Sequence, residues 1–202
     1  IPTALKEKTA ARHVHFTTLQ LPQYTALFFN LNDDKSVLAD KTMRQALASV
    51  INKSKVLQET LNNEGAVIDN SVLSGFPGYL GPTFEPTMAE ETAALLDKKW
   101  PRLSAEEYRQ RLINQYIVEH STTSTPNATT TLAQEAAVET DKTLSAAQLY
   151  YRVDKNKKVV VLDLVTADTP EYRHAASLVA GYWQDIGIKT DITFVNQKDI
   201  AR

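Results

Sequence analysis

Residues able to do chemistry are thinly spread along this chain. Its 202 residues include no cysteine and four histidines, which excludes disulfides, thiolate nucleophiles and Cys-based zinc sites. His13 and His15 share one face of a strand-like run, where a metal-binding pair is geometrically allowed. No carboxylate lies at suitable local spacing, and a polar strand face is the simpler reading. Asn30-Leu31-Asn32-Asp33-Asp34 resembles the start of a calcium loop but lacks the turn glycine and the distal glutamate. A strand-end turn capped by Asn and Asp accounts for it better. Glu90-Glu91 and Glu106-Glu107 fall in first helical turns, where carboxylates complement the helix dipole. Lys155 to Lys158 reads as a solvated turn beside a strand. There is no nucleophile elbow, phosphate loop, dinucleotide fingerprint or His-Glu-x-x-His pair. We therefore assign no catalytic residue, no metal ligand and no cofactor, and the chain is not expected to be an enzyme.

The totals bound the rest. A hydrophobic content of 43% with 23% charged residues is that of a globular chain able to bury a core. A net charge of −2 provides no concentrated basic surface for nucleic acid or an anionic membrane. No apolar run approaches the ~20 residues that span a bilayer. The chain opens at Ile1 rather than Met, so an upstream segment is expected, and any signal peptide would lie there.

The elements that must position a site follow from patterning. Val14–Leu19 and Thr25–Leu31 read as two strands with a bend at Pro22-Gln23. The second is almost continuously apolar, as a strand covered on both faces would be. Asp40 opens a helix with Met43, Ala46, Leu47, Val50, Ile51, Leu57 and Leu61 at helical spacing, stopped at Asn62-Asn63-Glu64-Gly65. Gly75, Pro77, Gly78, Gly81 and Pro82 then make an irregular segment bearing Phe76, Tyr79 and Phe84, aromatics that must pack on the domain or on a partner. Thr87-Met88-Ala89-Glu90 and Ser104-Ala105-Glu106-Glu107 read as capping boxes opening two more helices. Residues 121–131 are Ser/Thr-rich with no apolar payload and read as a low-complexity, mobile stretch before a weak helical segment. Finally, Lys158–Thr166, a helix from Pro170 to about Ile186 and Ile188–Val195 form a strand–helix–strand unit, whose crossover favours parallel strands. The expected class is α/β: a mixed sheet flanked by helices, its antiparallel part supplied by the front hairpin.

Two stretches carry a resemblance. Ala26-Leu27-Phe28-Phe29-Asn30-Leu31-Asn32, followed by Leu38-Ala39-Asp40-Lys41-Thr42-Met43-Arg44-Gln45-Ala46-Leu47 and Val50-Ile51-Asn52-Lys53, is similar to the signature of the family 5 extracellular solute-binding proteins. That signature is an aromatic-Asn strand end, an Asp, Val-Arg-Gln-Ala-Leu and then Ala-Ile-Asp-Arg. Met43 stands where Val is usual, and Asn52-Lys53 where Asp-Arg is usual. Ala93-Ala94-Leu95-Leu96 and the run from Ala175 through Trp183-Gln184-Asp185-Ile186-Gly187-Ile188-Lys189-Thr190 continue the likeness in order.

The resemblance implies a partial lobe of a two-lobe periplasmic-binding-protein-like fold. Its family-like core is 14–100 and 158–196, with 101–157 a helical and Ser/Thr-rich insertion in a single lobe fragment, 1–202. It implies the substrate-binding component of an ABC importer, capturing peptides or similar small solutes outside the cytoplasm, in the periplasm or at the cell surface. The implied partners are that ligand and a membrane permease; contact with the membrane would be only through a lipid anchor outside this chain. A solute-sensing regulatory module or a surface interaction domain of the same fold is the alternative. Arg44 to Leu47 are expected to dock a helix, with the Arg44 head at the surface or on a loop carbonyl. Phe76 and Tyr79 are the preferred ligand- or lobe-facing aromatics, against ordinary packing under the loop. Asn30 and Asn32 either face the cleft or cap a turn. Much of a two-lobe cleft would lie beyond Arg202, so weak or no ligand binding is expected of this piece alone.

Overall fold

The computed structural model describes residues 24–33, 36–70, 72, 76–79, 86–120, 126–144 and 148–196. The expected strand Val14–Leu19, His13 and His15, and Gly75, Gly81, Pro82 and Phe84 lie outside these.

After an extended stretch and one 3-10 turn at Val37–Ala39, α1 (Lys41–Ser49) and α2 (Lys53–Leu61) follow. Asp40 caps α1, its Oδ1 accepting from Thr42 N at 2.7 Å. The single helix expected from Asp40 to Leu61 is in fact two. Asn52 leaves the helical region and its Oδ1 accepts from Lys55 N at 2.9 Å, starting α2 afresh. A short Asn side chain competes for backbone donors better as a cap than inside a helix, and this local bond outweighs continuity of the apolar stripe. Asn62, at φ 49°, ends α2 where the sequence placed its stop.

α3 (Ala89–Asp97) forms without the capping box expected at Thr87: Met88 is its cap residue and makes no side-chain bond. Thr87 instead donates its backbone N–H to Ser49 O at 2.8 Å, tying the helix start to the end of α1. The second capping box is present. Ser104 Oγ accepts from Glu107 N at 3.2 Å, and Glu107 Oε2 accepts from Ser104 N at 3.2 Å, opening α4 (Ala105–His120) directly after β1 (Arg102–Ser104). α5 (Pro126–Thr143) begins inside the low-complexity stretch expected to be mobile, with Pro126 as its first helical residue. A proline there forfeits only an N–H that a first helical turn leaves unused.

β2 (Tyr150–Arg152) pairs antiparallel with β1, Leu103 facing Tyr151. Residues 154–158 turn back to a bridge between Val153 and Val159, with Asp154 Oδ1 accepting from Asn156 N and Lys158 N. The basic run is therefore the exposed turn expected of it. β3 (Val161–Ala167), α6 (Pro170–Asp185) and β4 (Lys189–Val195) form the expected unit, and β3 pairs parallel with β4 from Val161↔Lys189 to Ala167↔Val195. Thr169 caps α6, and Gly187 at φ 85° closes it. Ile188 N donates to Trp183 O and Gly187 N to Gln184 O, a Schellman arrangement that only a residue free to take positive φ permits.

The architecture is mixed α/β, but among the described residues the strands form two small sheets, one antiparallel and one parallel. The antiparallel pair comes from β1 and β2. Thr25–Leu31, expected as a covered strand, makes no ladder among the described residues, and Phe28 is 82% exposed. Only Phe29 of that run packs against the core. The core itself gathers Met43 and Leu47 of α1, Leu96 of α3, Trp100, Val160, Leu162 of β3, Trp183 of α6, Ile186 and Ile188. Each such side chain contributes about 1.5–3 kcal/mol on burial.

Candidate ligand-facing site

The two pairs of residues singled out in the sequence occupy two separate turns. Phe76 to Tyr79 is a tight turn: Tyr79 N donates to Phe76 O at 3.2 Å, with Pro77 and Gly78 between them and Gly78 at φ 89°. Proline then glycine is what such a turn demands, since the first fixes φ near −65° and the second accepts a positive φ. Phe76 is exposed and Tyr79 half-buried. The preceding loop is tied down by Lys53, whose Nζ donates to Asp69 Oδ1 at 2.6 Å and to Ile68 O at 3.3 Å. The Asp69 side chain is largely buried and its partner half-exposed, so this pair anchors the loop base to the start of α2.

Asn30 and Asn32 lie on the exposed run. Asn30 Oδ1 accepts from Asn32 N at 3.0 Å, the turn-capping role weighed for these asparagines. The run is held by Phe29 against the core and by a 3.3 Å contact between the Thr25 hydroxyl and the Tyr172 hydroxyl at the start of α6. Among the described residues no hydrogen bond joins the Asn30–Asn32 turn to the Phe76–Tyr79 turn. Both present hydrogen-bonding or aromatic groups outward, and Phe28 and Tyr24 add exposed rings beside the asparagines. Such groups can stack on and hydrogen-bond to a solute; they include no nucleophile paired with a base. Among the described residues no group of three or more His, Asp or Glu is placed to hold a metal ion.

Arg44 does what its position suggested: its Nη1 donates to Leu38 O at 2.7 Å and Ala39 O at 2.9 Å, closing the 3-10 turn onto α1. The residue that organises the body behind these turns is one the sequence did not flag. Arg152 of β2 is fully buried. Its Nε donates to Ile186 O at 2.7 Å, Nη2 to Ala93 O at 2.8 Å, and Nη1 to Trp100 O at 2.7 Å and Asp97 Oδ1 at 2.8 Å. One guanidinium thus joins α3, the residues after it, β2 and the end of α6. Asp97 is shared, receiving Arg102 Nε at 2.9 Å and Nη2 at 3.0 Å. The Arg102 hydrogen bonds, helped by Arg152, hold the Asp97 carboxyl below the usual carboxylate range despite the burial that opposes this. The Lys99 ammonium does the same for Asp40, at 2.6 Å. Trp183 adds a second buried tie, its Nε1 donating to Leu47 O at 2.9 Å. No periodicity marks Arg152, because an arginine in a short strand looks like a surface residue until its acceptors are placed around it.

These elements have known relatives. A family model described as bacterial extracellular solute-binding proteins, family 5 Middle, matches residues 2–201, a span that includes 101–157. No curated protein matches the chain. Among solved structures, NikA from Brucella suis in complex with Fe(III)-EDTA superposes with a TM-score of 0.51 at 15% identity, over 85% of this chain and 26% of that one. AppA, the oligopeptide-binding protein from Bacillus subtilis in complex with a nonapeptide, gives a TM-score of 0.51 at 17% identity, over 86% and 26%. The chain therefore spans about a quarter of the length of these proteins, and the likeness is one of fold, to part of a lobe in a two-lobe architecture. With the family pattern running through almost all of its residues, the chain belongs to the bacterial extracellular solute-binding proteins of family 5.

Proposed function

We propose that the whole protein is the substrate-binding component of an ABC importer, capturing peptides or similar small solutes outside the cytoplasm and delivering them to a membrane permease. The family match over residues 2–201 carries this reading. The structural neighbours named above hold a nonapeptide in one case and a metal chelate in the other. The peptide is the preferred class here, because the outward groups are aromatic rings and carboxamides, which suit a neutral, extended backbone better than a compact charged chelate. In this reading Phe76, Tyr79, Asn30 and Asn32 face the ligand or the opposing lobe. The domain assignment belongs to the same proposal: a single lobe fragment whose core, 14–100 and 158–196, carries 101–157 as an insertion. Its support is that α4 and α5 pack on each other and that β1 and β2 pair within the segment, which meets the rest of the body through Arg152, bonded to Ala93 O and Ile186 O. A periplasmic or cell-surface location, with a lipid anchor outside this chain, completes the proposal.

The test is thermal unfolding of the parent protein against a mixed peptide library, with this chain alongside. A ligand at ~100 times its dissociation constant adds ~2.7 kcal/mol, a rise of a few degrees for a large protein. A rise in the parent and none in this chain is the expected result. No rise with any peptide pool, together with one for nickel chelates or oligosaccharides, would replace the peptide by that class; no rise with any of the three would overturn solute capture.

A further inference from the structure

The two parallel strands are covered on one face and open on the other. Side chains alternate between the faces of a strand. Leu162 and Leu164 of β3 turn toward the core, on the side where α6 packs against both strands. The opposite face carries Val161, Asp163 and Val165, with Asp191 and Thr193 of β4 directly across from Asp163 and Val165. Val161 is 40% and Val165 57% exposed, and Asp163, Asp191 and Thr193 are exposed beside them. Parallel strands occur almost only with both faces covered, because their crossovers lay helices on each side. Two valines in line on such a face fit a second layer better than they fit water.

The charges on this face say what that layer carries. Asp163 and Asp191 stand opposite each other across the ladder, and like charges so placed repel. The Lys189 ammonium, 2.5 Å from Asp191 Oδ1, answers one of them. Asp163 makes no ion pair or hydrogen bond among the described residues. One uncompensated carboxylate thus lies between two exposed valines, complementary to an apolar surface with a Lys or Arg set into it. An amphipathic helix presents that combination along one side and lies on a sheet as α6 does. A second copy of this face fits poorly, because Lys189 against Asp163 and Asp191 leaves each copy with a surplus carboxylate and no cation to meet it. This chain covers 26% of the length of each solved relative named above, so a parent of that length has ample polypeptide to supply the helix.

We propose that the open face of β3 and β4 is the seat of an amphipathic helix from elsewhere in the parent polypeptide, its apolar side on Val161 and Val165 and a Lys or Arg against Asp163. The proposal rests on the family membership of the chain and not on the peptide reading, and its test needs no ligand.

That test is thiol labelling of the parent protein carrying Val165→Cys, in a background otherwise free of cysteine; the present chain has none to remove. The native rate should fall about thirtyfold or more below the rate in urea, as for a thiol under a packed layer that opens rarely. Asp163→Lys reads the charge. On an open face it would relieve the repulsion from Asp191 and raise the urea midpoint, whereas under a basic helix it sets cation against cation and should lower that midpoint. Protection smaller than this, protection that grows with protein concentration (a second copy), or an Asp163→Lys protein as stable as the parent would each overturn the proposal. Should Val165→Cys fail to fold, Val161→Cys reads the same face.

Discussion

Replacing Arg152 by Met sets two large effects against each other, and the structure says which wins. Removing a buried guanidinium relieves its desolvation cost, which for buried ion pairs often makes an apolar substitute neutral or better. Here, however, three of the four acceptors are backbone carbonyls, of Ala93, Trp100 and Ile186. They stay in place when the side chain goes. Each buried acceptor left without a donor costs about 1–3 kcal/mol, less where neighbours relax or water enters. The fourth partner, Asp97, adds little to the loss: its side chain is 41% exposed and Arg102 still holds it with two hydrogen bonds. Ala93 O keeps the ladder bond of α3, so the carbonyls that lose their donor are those of Trp100 and Ile186; at about 1.5–2.5 kcal/mol each, less part of the relieved desolvation, they leave Arg152→Met destabilised by about 2–4 kcal/mol. For a chain of this size the melting temperature should fall by about 4–16 °C. Urea unfolding of the two proteins, with an unchanged slope, would give the same figure as a shifted midpoint. Arg152→Lys should recover only part of it, since one ammonium cannot reach acceptors on α3, the residues after it and the end of α6 together. An Arg152→Met protein as stable as the wild type, or more stable, would show that burial of the charge outweighs the carbonyl bonds and would refute the assignment of Arg152 as the tie.

Other substitutions read different parts of the same body. Gly187→Ala should cost about 1–3 kcal/mol, because a Cβ there would lie 2.4 Å from Tyr150 Cε2 and the residue holds φ 85°; a melting point within a degree of wild type would contradict this. Trp183→Phe keeps the ring but leaves Leu47 O without its indole donor, and a loss of about 1–3 kcal/mol in urea unfolding is expected. The pH dependence follows from Asp97 and Asp40, both held below the ordinary carboxylate pKa when folded. Their contribution is complete above the unfolded value of ~3.9 and is lost as pH falls through the lower folded values. Asp97→Asn should therefore flatten the acid limb of a stability–pH curve while changing neutral stability less than Arg152→Met does. Phe76→Ala and Tyr79→Ala in the parent protein should weaken peptide binding several-fold with little change in melting temperature; unchanged affinity in both would remove these residues from the ligand surface.

Legibility tracked the range of the interaction. The β3–α6–β4 unit could be read in advance because each of its signals is local: short apolar strand runs, Thr169-Pro170 at the helix start and Gly187 at its end. The α1 cap, the stop at Asn62 and the Ser104 box were legible for the same reason. The break at Asn52 was missed because an apolar stripe at helical spacing persists through it, and only the cap bond to Lys55 N reveals the new start. Thr25–Leu31 has the composition of a covered strand, but composition cannot supply the neighbour that would cover it. Arg152 was invisible for a stronger reason, since its acceptors are carbonyls at Ala93, Trp100 and Ile186, and a carbonyl carries no sequence signature at all. Of the site residues, the Phe76–Tyr79 turn was legible as a turn from Pro77-Gly78, and Asn30 as a cap.

The two groups of residues are physically separate, and that separation has a consequence for how the protein works. The ties that fix the body are backbone carbonyls gripped by Arg152 and Trp183, buried where no solute reaches. Among the described residues, the outward aromatics sit on turns joined to that body by the Lys53–Asp69 pair under one and by Phe29 and Thr25 under the other. A turn pinned at its base with an exposed ring at its tip can change its rotamer or partner without disturbing the core, because the core's hydrogen bonds are satisfied independently of it. Binding-surface and stability substitutions should accordingly add without coupling, as sites with no shared partner do. Lys53→Met is the exception to expect, since it loosens the base of the Phe76–Tyr79 loop while leaving Arg152 and Trp183 untouched. It should lower affinity for the ligand with a smaller effect on unfolding than any change at the buried clamp.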